Sequence, residues 1–450
     1  MAGIEVTNWF GDQVSYPQKI VDAYSIDDIV KVLTHPADYP APVRAVGSNH
    51  STPPCGAADG GTLIRMKMER ILEIGADFIT VEAGATHLVM AQALRAKNLQ
   101  FYVNTEIGSL TAGSAACAGT KDASFPGEYG QVGSYIIAMK LVLPDGQLLE
   151  IAADQTDTLQ LFRSSYGLLG VVYEVTYRIR PLIPMAVHHE TFSVDEFVDR
   201  LDELRARNQS MMYYFFPFAD CITVEFRSYN PDAGGLHNPV PWALRNYIWG
   251  TAGPRFAHDI TQTLSDKTAR YAVVDSFNAM LRFKLETLVR SDHTQAPDQI
   301  IHYPPVSDDS RYTFSLFAFA EADFGNIFKE FCSFVRDYYD KYGYRSNMLY
   351  VGYRIAQDNN ALLSYSPDST VMTLDPVSTA NEGWQEFLDA YNQFCSERGG
   401  MPLLNQTARL TRPIVEKALG DRWATFAAAR RGYDPQDRLL NVYFRDLLGL

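Results

Sequence analysis

Between positions 106 and 124 the chain reads EIGSLTAGSAACAGTKDAS, a run made mostly of Ala, Gly, Ser and Thr. Side chains this small cannot fill a core by themselves. They do let a backbone pass close to an extended ligand and turn its amides and hydroxyls toward an anion. Tight packing in a structural loop would use the same residues. A second stretch of similar texture, VRAVGSNHS at 43–51, places Gly47, Ser48, Asn49, His50 and Ser51 directly after a short apolar run. Gly47 can take a positive φ there or permit an approach that a Cβ would block, which leaves His50 at the rim of the bend. A plain surface turn would also suit these residues. Both runs share one explanation if they grip opposite sides of a dinucleotide.

The chain has 450 residues, too many for one ordinary core, so two domains, or one large domain with a second inserted or appended, are expected. Hydrophobic residues at 46% and charged ones at 20% are globular values. The 39 basic residues against 53 acidic give a net charge of −14, which argues against nucleic acid or an anionic membrane as partner. Five scattered cysteines form neither a CxxC pair nor a His-Cys cluster, so no metal site is expected and the thiols read as reduced. No basic-then-apolar leader and no span-length apolar segment are visible, and the expectation is a soluble, cytoplasmic protein.

From about residue 16 to 181 the chain reads as short strands with few helices. The clearest hairpin is IIAMKLVL-PDG-QLLEI at 136–151. FITVEAG reads as a strand before the helix THLVMAQALRAKN, and TLQLFRSS as a short helix before the long strand in LLGVVYEVTYRIRP. Beyond about residue 183, longer strands alternate with longer helices. SVDEFVDRLDELRARN is an amphipathic helix with Ser193 and Glu196 at capping-box spacing, MMYYFFPFADCITVEFRSY is a strand pair, and FGNIFKEFCSFVRDYYDKYG is a helix between the strands RYTFSLFAFA and NMLYVGYRIAQD. Residues 238–284 read as helical in part, and EKALGDRWATFAAARRG as a helix in the tail. The fold class is α+β, with an antiparallel sheet covered by helices in the second part.

In order and spacing, VRAVGSNHS, VEAG, IGSLTAGSAACAGT, YIIAMKLVLPDGQLLEI, YGLLGVVYEVTYRI and the closing YDPQDRLLNVYFRDLL resemble the FAD-linked oxidases of the vanillyl-alcohol oxidase, or PCMH, type, closest to their aldonolactone and alditol oxidase branch. The GxGxxG fingerprint is absent, in keeping with a family that holds FAD without a Rossmann fold. The resemblance implies a two-part PCMH-type FAD-binding domain at 1–182, a substrate or cap domain at 183–410, and a segment at 411–450 returning to the first. It implies that Gly47, Ser48, Asn49 and Ser51 contact the pyrophosphate side, that Ser109, Thr111, Gly113, Ser114 and Gly119 line the other side, and that Gly170 and Val172 approach the adenine. It also implies a covalent bond from His50 to the flavin 8α carbon. The family's GTHG reads Gly119-Thr120-Lys121-Asp122 here, which puts two charges near the ring. Cys55 does not match a second attachment site and reads as a buried small hydrophobe.

On the substrate side, the branch's E-x-R strand becomes YVGYRIAQD, with Arg354 kept and Gly352 at the Glu position. Alternation puts Tyr350, Gly352 and Arg354 on one face, expected to floor the substrate site with Arg354 stabilising developing negative charge. A surface ion pair of Arg354 with Asp358 is the other reading. The family's HWGK reads Leu403-Leu404-Asn405-Gln406, so the amides of Asn405 and Gln406 can orient a hydroxyl but cannot take its proton. Tyr350, Tyr213 and Tyr214 are then the candidates for a base. The expected activity is hydride transfer from a C–H beside oxygen or nitrogen of a small, rather apolar alcohol, lactone or sugar-like molecule to flavin N5, with reoxidation by O2. A dehydrogenase using another acceptor and a catalytically degenerate flavin-binding protein are the rivals.

Overall fold

The computed structural model describes residues 4–231, 240–288, 294–295 and 311–450. The first part carries two sheets. Lys19–Ala23, Thr62–Met66 and Val43–Val46 form a small parallel sheet with the middle strand shared. Leu148–Ile151, Ile136–Val142, Val171–Pro181, Phe78–Glu82 and Ile71–Ile74 form the larger antiparallel sheet, with Leu99–Phe101 added on the far half of Val171–Pro181. The 136–151 hairpin forms as expected, turning at Gly146 with φ +88°. The helix His87–Arg95 starts at Thr86, whose hydroxyl accepts from Val89 N–H and so satisfies one orphan donor of the first turn.

The second part is built on an antiparallel eight-stranded sheet. Its order is Thr294–Gln295, Met185–Phe192, Cys221–Tyr229, Ser210–Phe216, Tyr350–Ile355, Val371–Leu374, Phe317–Ala320 and Met401–Pro402. One face carries Tyr213, Phe215 and Tyr350 into a core shared with Phe197, Phe324, Phe328 and Phe331. These come from the helices Val194–Asp199 and Phe324–Tyr342, the second ended by Gly343 at φ +67°. The 193–208 helix divides at Arg200 into Val194–Asp199 and Leu201–Ala206, capped by Ser193 accepting from Glu196 N–H. The stretch RYTFSLFAFA splits into Thr313–Phe314 and Phe317–Ala320, which pair in different sheets.

Residues 240–284 are helical almost throughout, while 238–239 lie outside the described residues. The tail forms Arg412–Leu419, Asp421–Tyr433 and Val442–Leu448, the first two separated at Gly420. It then returns to the small parallel sheet: Val43 N–H donates to the Arg438 carbonyl, and Asn441 Nδ2 to the carbonyls of Pro54, Cys55 and Ala57. All five cysteines are buried and unbridged, and burial pushes the Cys55 thiol up to about 12. Among the described residues no helix is long and apolar enough to cross a membrane.

Candidate active site

The two small-residue runs meet. Gly47 packs so closely on Thr111 that a Cβ there would stand 2.1 Å from Thr111 Oγ1. Ser48 donates its hydroxyl to the Ser109 carbonyl, and His50 Nε2 lies 2.8 Å from Ser109 Oγ. Trp9 packs on the His50 ring with centroids 4.9 Å apart, and its N–H donates to the Asn49 carbonyl, so an N-terminal turn holds the loop from outside. Between the runs lies a cavity, about 1120 Å³ of space in part open to solvent. Gly47, Ser48, Asn49, His50 and Ser51 line one side, and Thr111, Gly113 and Ser114 the other. Gly170, Val172, Asn405 and Gln406 belong to the same wall. Gly119 does not line it, but its carbonyl accepts from Asn405 Nδ2 and Gln406 Nε2, at 3.0 and 2.8 Å.

This cradle fits an FAD. Its walls are backbone, hydroxyl and small apolar groups, and a Cβ at Gly170 would stand 3.0 Å from the Val142 carbonyl. His50 lines the cradle, and its enclosed Nδ1 has no protein partner. Burial pushes His50 down to about 4, so its imidazole is neutral and able to act as a nucleophile.

Two contributors are missing from the sequence reading. Arg44 lines the cavity, and its guanidinium donates to the carbonyls of Cys55, Tyr166, Gly167 and Leu439, tying three segments together. No carboxylate pairs with it among the described residues, and burial lowers it to about 10. Tyr166, at φ +55°, lines the same wall. Arg44 sits one residue into an apolar strand, and nothing local in the sequence separates it from an ordinary outward-facing arginine.

A second cavity, about 850 Å³ of space in part open to solvent, shares the wall residues Ile107, Leu110, Thr120, Phe314 and Gln406 with the first, so the two adjoin at a waist formed by these residues. Met348, Leu349, Val351 and Val377 supply apolar wall, while Glu106, Lys121, Arg245 and Asp375 bring charge. The strand Tyr350–Ile355 turns toward this cavity the face opposite to the one expected. The residues do alternate, but Val351 and Tyr353 face the cavity. Tyr350, Gly352 and Arg354 point to the helix-covered side. Tyr350 is buried edge-on against Phe215 at 5.2 Å, lines neither joined cavity, and burial raises its hydroxyl above the usual tyrosine range. Arg354 pairs with Glu321, at 2.7 and 3.2 Å, rather than with Asp358 or a substrate floor.

The space at Gly352 is not empty. A Cβ there would stand 2.0 Å from Tyr213 Cε2. Tyr213 itself donates to the Thr373 carbonyl on that same side, away from the cavity. Tyr214 does face the cavity, but it donates to Glu225 and accepts from Arg245 Nη2, at 3.1 and 2.5 Å. Asp122 lies outside both cavities in an ion pair with Arg227 at 2.8 Å.

Two loops of small residues line a cavity that adjoins a chamber beneath an antiparallel sheet, an arrangement suited to an extended dinucleotide held without a Rossmann turn. Residues 17–152 match the family model described as FAD binding domain. The chain is 27% identical over 216 residues to L-gulono-1,4-lactone dehydrogenase of Mycobacterium tuberculosis, covering 48% of this chain and 50% of that protein. It is 22% identical over 253 residues to L-gulonolactone oxidase of Mus musculus, covering 56% of each. The chain thus spans about half the length of the curated relatives it matches. Among solved structures, cholesterol oxidase from B. sterolicum superposes with a TM-score of 0.75 at 14% identity, over 99% of this chain and 96% of that one. A solvent-stable cholesterol oxidase superposes at 0.72 with 17% identity, over 100% and 98%. The chain thus carries an FAD binding domain at residues 17–152, is similar over about half its length to lactone dehydrogenases and lactone oxidases, and shares its overall fold with the cholesterol oxidases.

Proposed function

We propose that this protein is an FAD-dependent oxidase acting on a small, rather apolar alcohol, lactone or sugar-like substrate, with the flavin tethered through His50. The observation that carries the reading is the waist. There the cavity between the two small-residue runs adjoins a chamber lined by both apolar and charged side chains. Residues 1–182 form the cofactor unit, 183–410 the substrate unit and 411–450 the returning segment. Bound in the first cavity, FAD would supply an acceptor for a hydride and a route for its electrons to O2.

The residues of the chain do the rest. Gly47, Ser48, Asn49, Ser51, Thr111, Gly113 and Ser114 hold the dinucleotide. Ser109 occupies His50 Nε2, which leaves the enclosed Nδ1 as the atom that forms the bond. Asn405 and Gln406, anchored on the Gly119 carbonyl, keep the waist in shape, and Gln406 reaches both cavities. The names of the relatives, lactone dehydrogenase and lactone oxidase, support a C–H beside oxygen as the point of attack and divide over the acceptor.

The test uses the purified full chain. Acid denaturation should leave yellow flavin on the wild-type polypeptide and release it from His50→Ala. Complete release from wild type overturns the tether alone. Under argon, a panel of lactones and cyclic alcohols should bleach the flavin band, and admitting air should restore it. Bleaching without prompt recovery in air replaces oxidase with dehydrogenase. A yellow protein bleached by no member of the panel is a flavin-binding protein without this activity.

A further inference from the structure

We infer that Asp375 is the proton acceptor of the second cavity and that Lys121 is the cation that keeps it charged. The inference rests on the flavin-dependent reading above and deepens it by naming the base that the family-like positions do not supply.

Asp375 follows the strand Val371–Leu374, and its backbone exchanges two hydrogen bonds with Val351, at 2.9 and 3.0 Å. Its carboxyl therefore projects from backbone fixed at the end of an interior strand. Lys121 Nζ donates to Oδ2 at 3.1 Å, with both side chains more than nine-tenths buried. Oδ1 is enclosed and has no protein donor in hydrogen-bonding geometry, although the Thr373 hydroxyl lies nearby. A buried carboxylate paired through one oxygen, in the wall of a cavity, keeps an acceptor site open for whatever enters.

The neighbouring groups do not offer this. Glu106 accepts from Arg245 through Oε1 and from the Tyr353 hydroxyl through Oε2, each at 3.2 Å. Tyr214 is engaged by Glu225 and Arg245, and Gln406 is an amide. Lys121 is held on its other side by the Tyr353 ring, with Nζ 3.6 Å from the centroid, so its charge stays beside Asp375.

Burial raises the Asp375 carboxyl to about 6, opposed by Lys121 and Thr373 and assisted by Glu106. That places it in the range suited to a base at neutral pH. Lys121 and Glu106 are the charged groups facing it. Tyr213, Tyr365 and Tyr391, from the strand, loop and helix packed around it, feel its charge. In the oxidation of an alcohol, the C–H bond gives its electron pair to the bound oxidant, a flavin. The O–H bond gives its proton to Asp375 Oδ1, and a C=O bond forms. The carboxylate ends as a neutral acid, and release of that proton to solvent resets it.

Two measurements on the yellow holoprotein decide this. Without turnover, infrared difference spectra between about pH 8 and about pH 5 should show a protonated-carboxyl band with a midpoint near 6. The band should be absent from Asp375→Asn, appear at higher pH in Lys121→Met, and shift in frequency when cyclohexanol fills the chamber. In anaerobic flavin reduction by the best alcohol of the panel, Asp375→Asn should lower the maximal rate about 10²–10⁴-fold with little change in half-saturation, and Asp375→Glu should restore part of it. An Asp375→Asn protein reduced as fast as wild type overturns the inference, as does an Asp375 that stays ionised to about pH 5 and does not sense cyclohexanol. Should no alcohol bleach the wild type, the alcohol-oxidising reading falls while the infrared titration still decides the state of Asp375. Should Asp375→Asn not fold, an unmoved midpoint in Lys121→Met is the overturning result.

Discussion

His87 and His50 are pushed down alike, each to about 4 by burial, yet only one of them faces a cavity. The His87 ring is wholly enclosed between Phe101 and Tyr177, at 5.3 and 5.8 Å, and neither nitrogen has a protein partner. It behaves as a core aromatic that happens to titrate. Between about pH 6.5 and about pH 4 the unfolded chain binds a proton here that the folded chain does not, so stability falls as pH falls through that window. A depression of this size corresponds to roughly 3 kcal/mol over the window. His87→Leu should therefore flatten the acid side of the stability profile, read as a smaller drop in the urea midpoint between about pH 7 and about pH 4.5. An unchanged drop would show that the buried imidazole does not titrate in this window. A depressed histidine thus marks burial, and what singles out His50 is the unpartnered Nδ1 in the wall of the flavin cavity.

At the scale of elements, features set by local chemistry were legible and features set by a facing element were not. The Pro144-Asp145-Gly146 turn, the Ser193 cap and the alternation of Tyr350–Ile355 each depend on a few neighbouring residues. Which face of that strand meets the cavity depends on what lies opposite. Tyr213 sits across from Gly352 in the antiparallel register, and its ring fills the space a side chain would take, with the Thr373 carbonyl only 2.4 Å from where a Cβ would stand. Glycine is needed there because a tyrosine already occupies the site. Gly352→Ala should destabilise the protein by about 1–3 kcal/mol through overpacking, without freeing space for substrate. Combined with Tyr213→Leu it should cost less than the sum of the two single changes, since residues in contact couple. Thermal melts of the four proteins give the coupling, and strict additivity would mean that the two positions do not compete for volume.

Across the whole molecule, the two small-residue runs were legible as partners because a dinucleotide needs two walls, while the charges that lock the first part of the chain to the eight-stranded sheet were not. Glu225 and Arg227 stand two apart in the strand Cys221–Tyr229, and both side chains are wholly buried. Arg227 pairs with Glu225 at 2.6 Å and with Asp122 at 2.8 Å, and Arg245 reaches Glu106 at 3.2 Å and Glu225 at 3.4 Å. Asp122 and Glu106 belong to the run that walls the flavin, whereas Glu225, Arg227 and Arg245 belong to the second part, so one network closes the joint. Burial alone would push Glu225 up, yet Arg245 and Arg227 beside it hold its carboxyl well below the usual range. Arg227→Met would leave Asp122 and Glu225 buried with less compensation, a change that costs about 3–5 kcal/mol when one partner of a buried pair is removed. Because Asp122 lies one residue from Lys121 and three from Gly119, the loss should reach the cofactor wall as well as the fold. Flavin fluorescence should rise at lower urea than in wild type as the cradle opens. Converting the acids too, in Arg227→Met with Asp122→Asn and Glu225→Gln, should recover much of the stability, because the penalty comes from stranded charge rather than from the missing attraction. An Arg227→Met protein that holds its flavin to the wild-type urea midpoint would mean that the joint is closed by apolar packing and that the network is incidental to it.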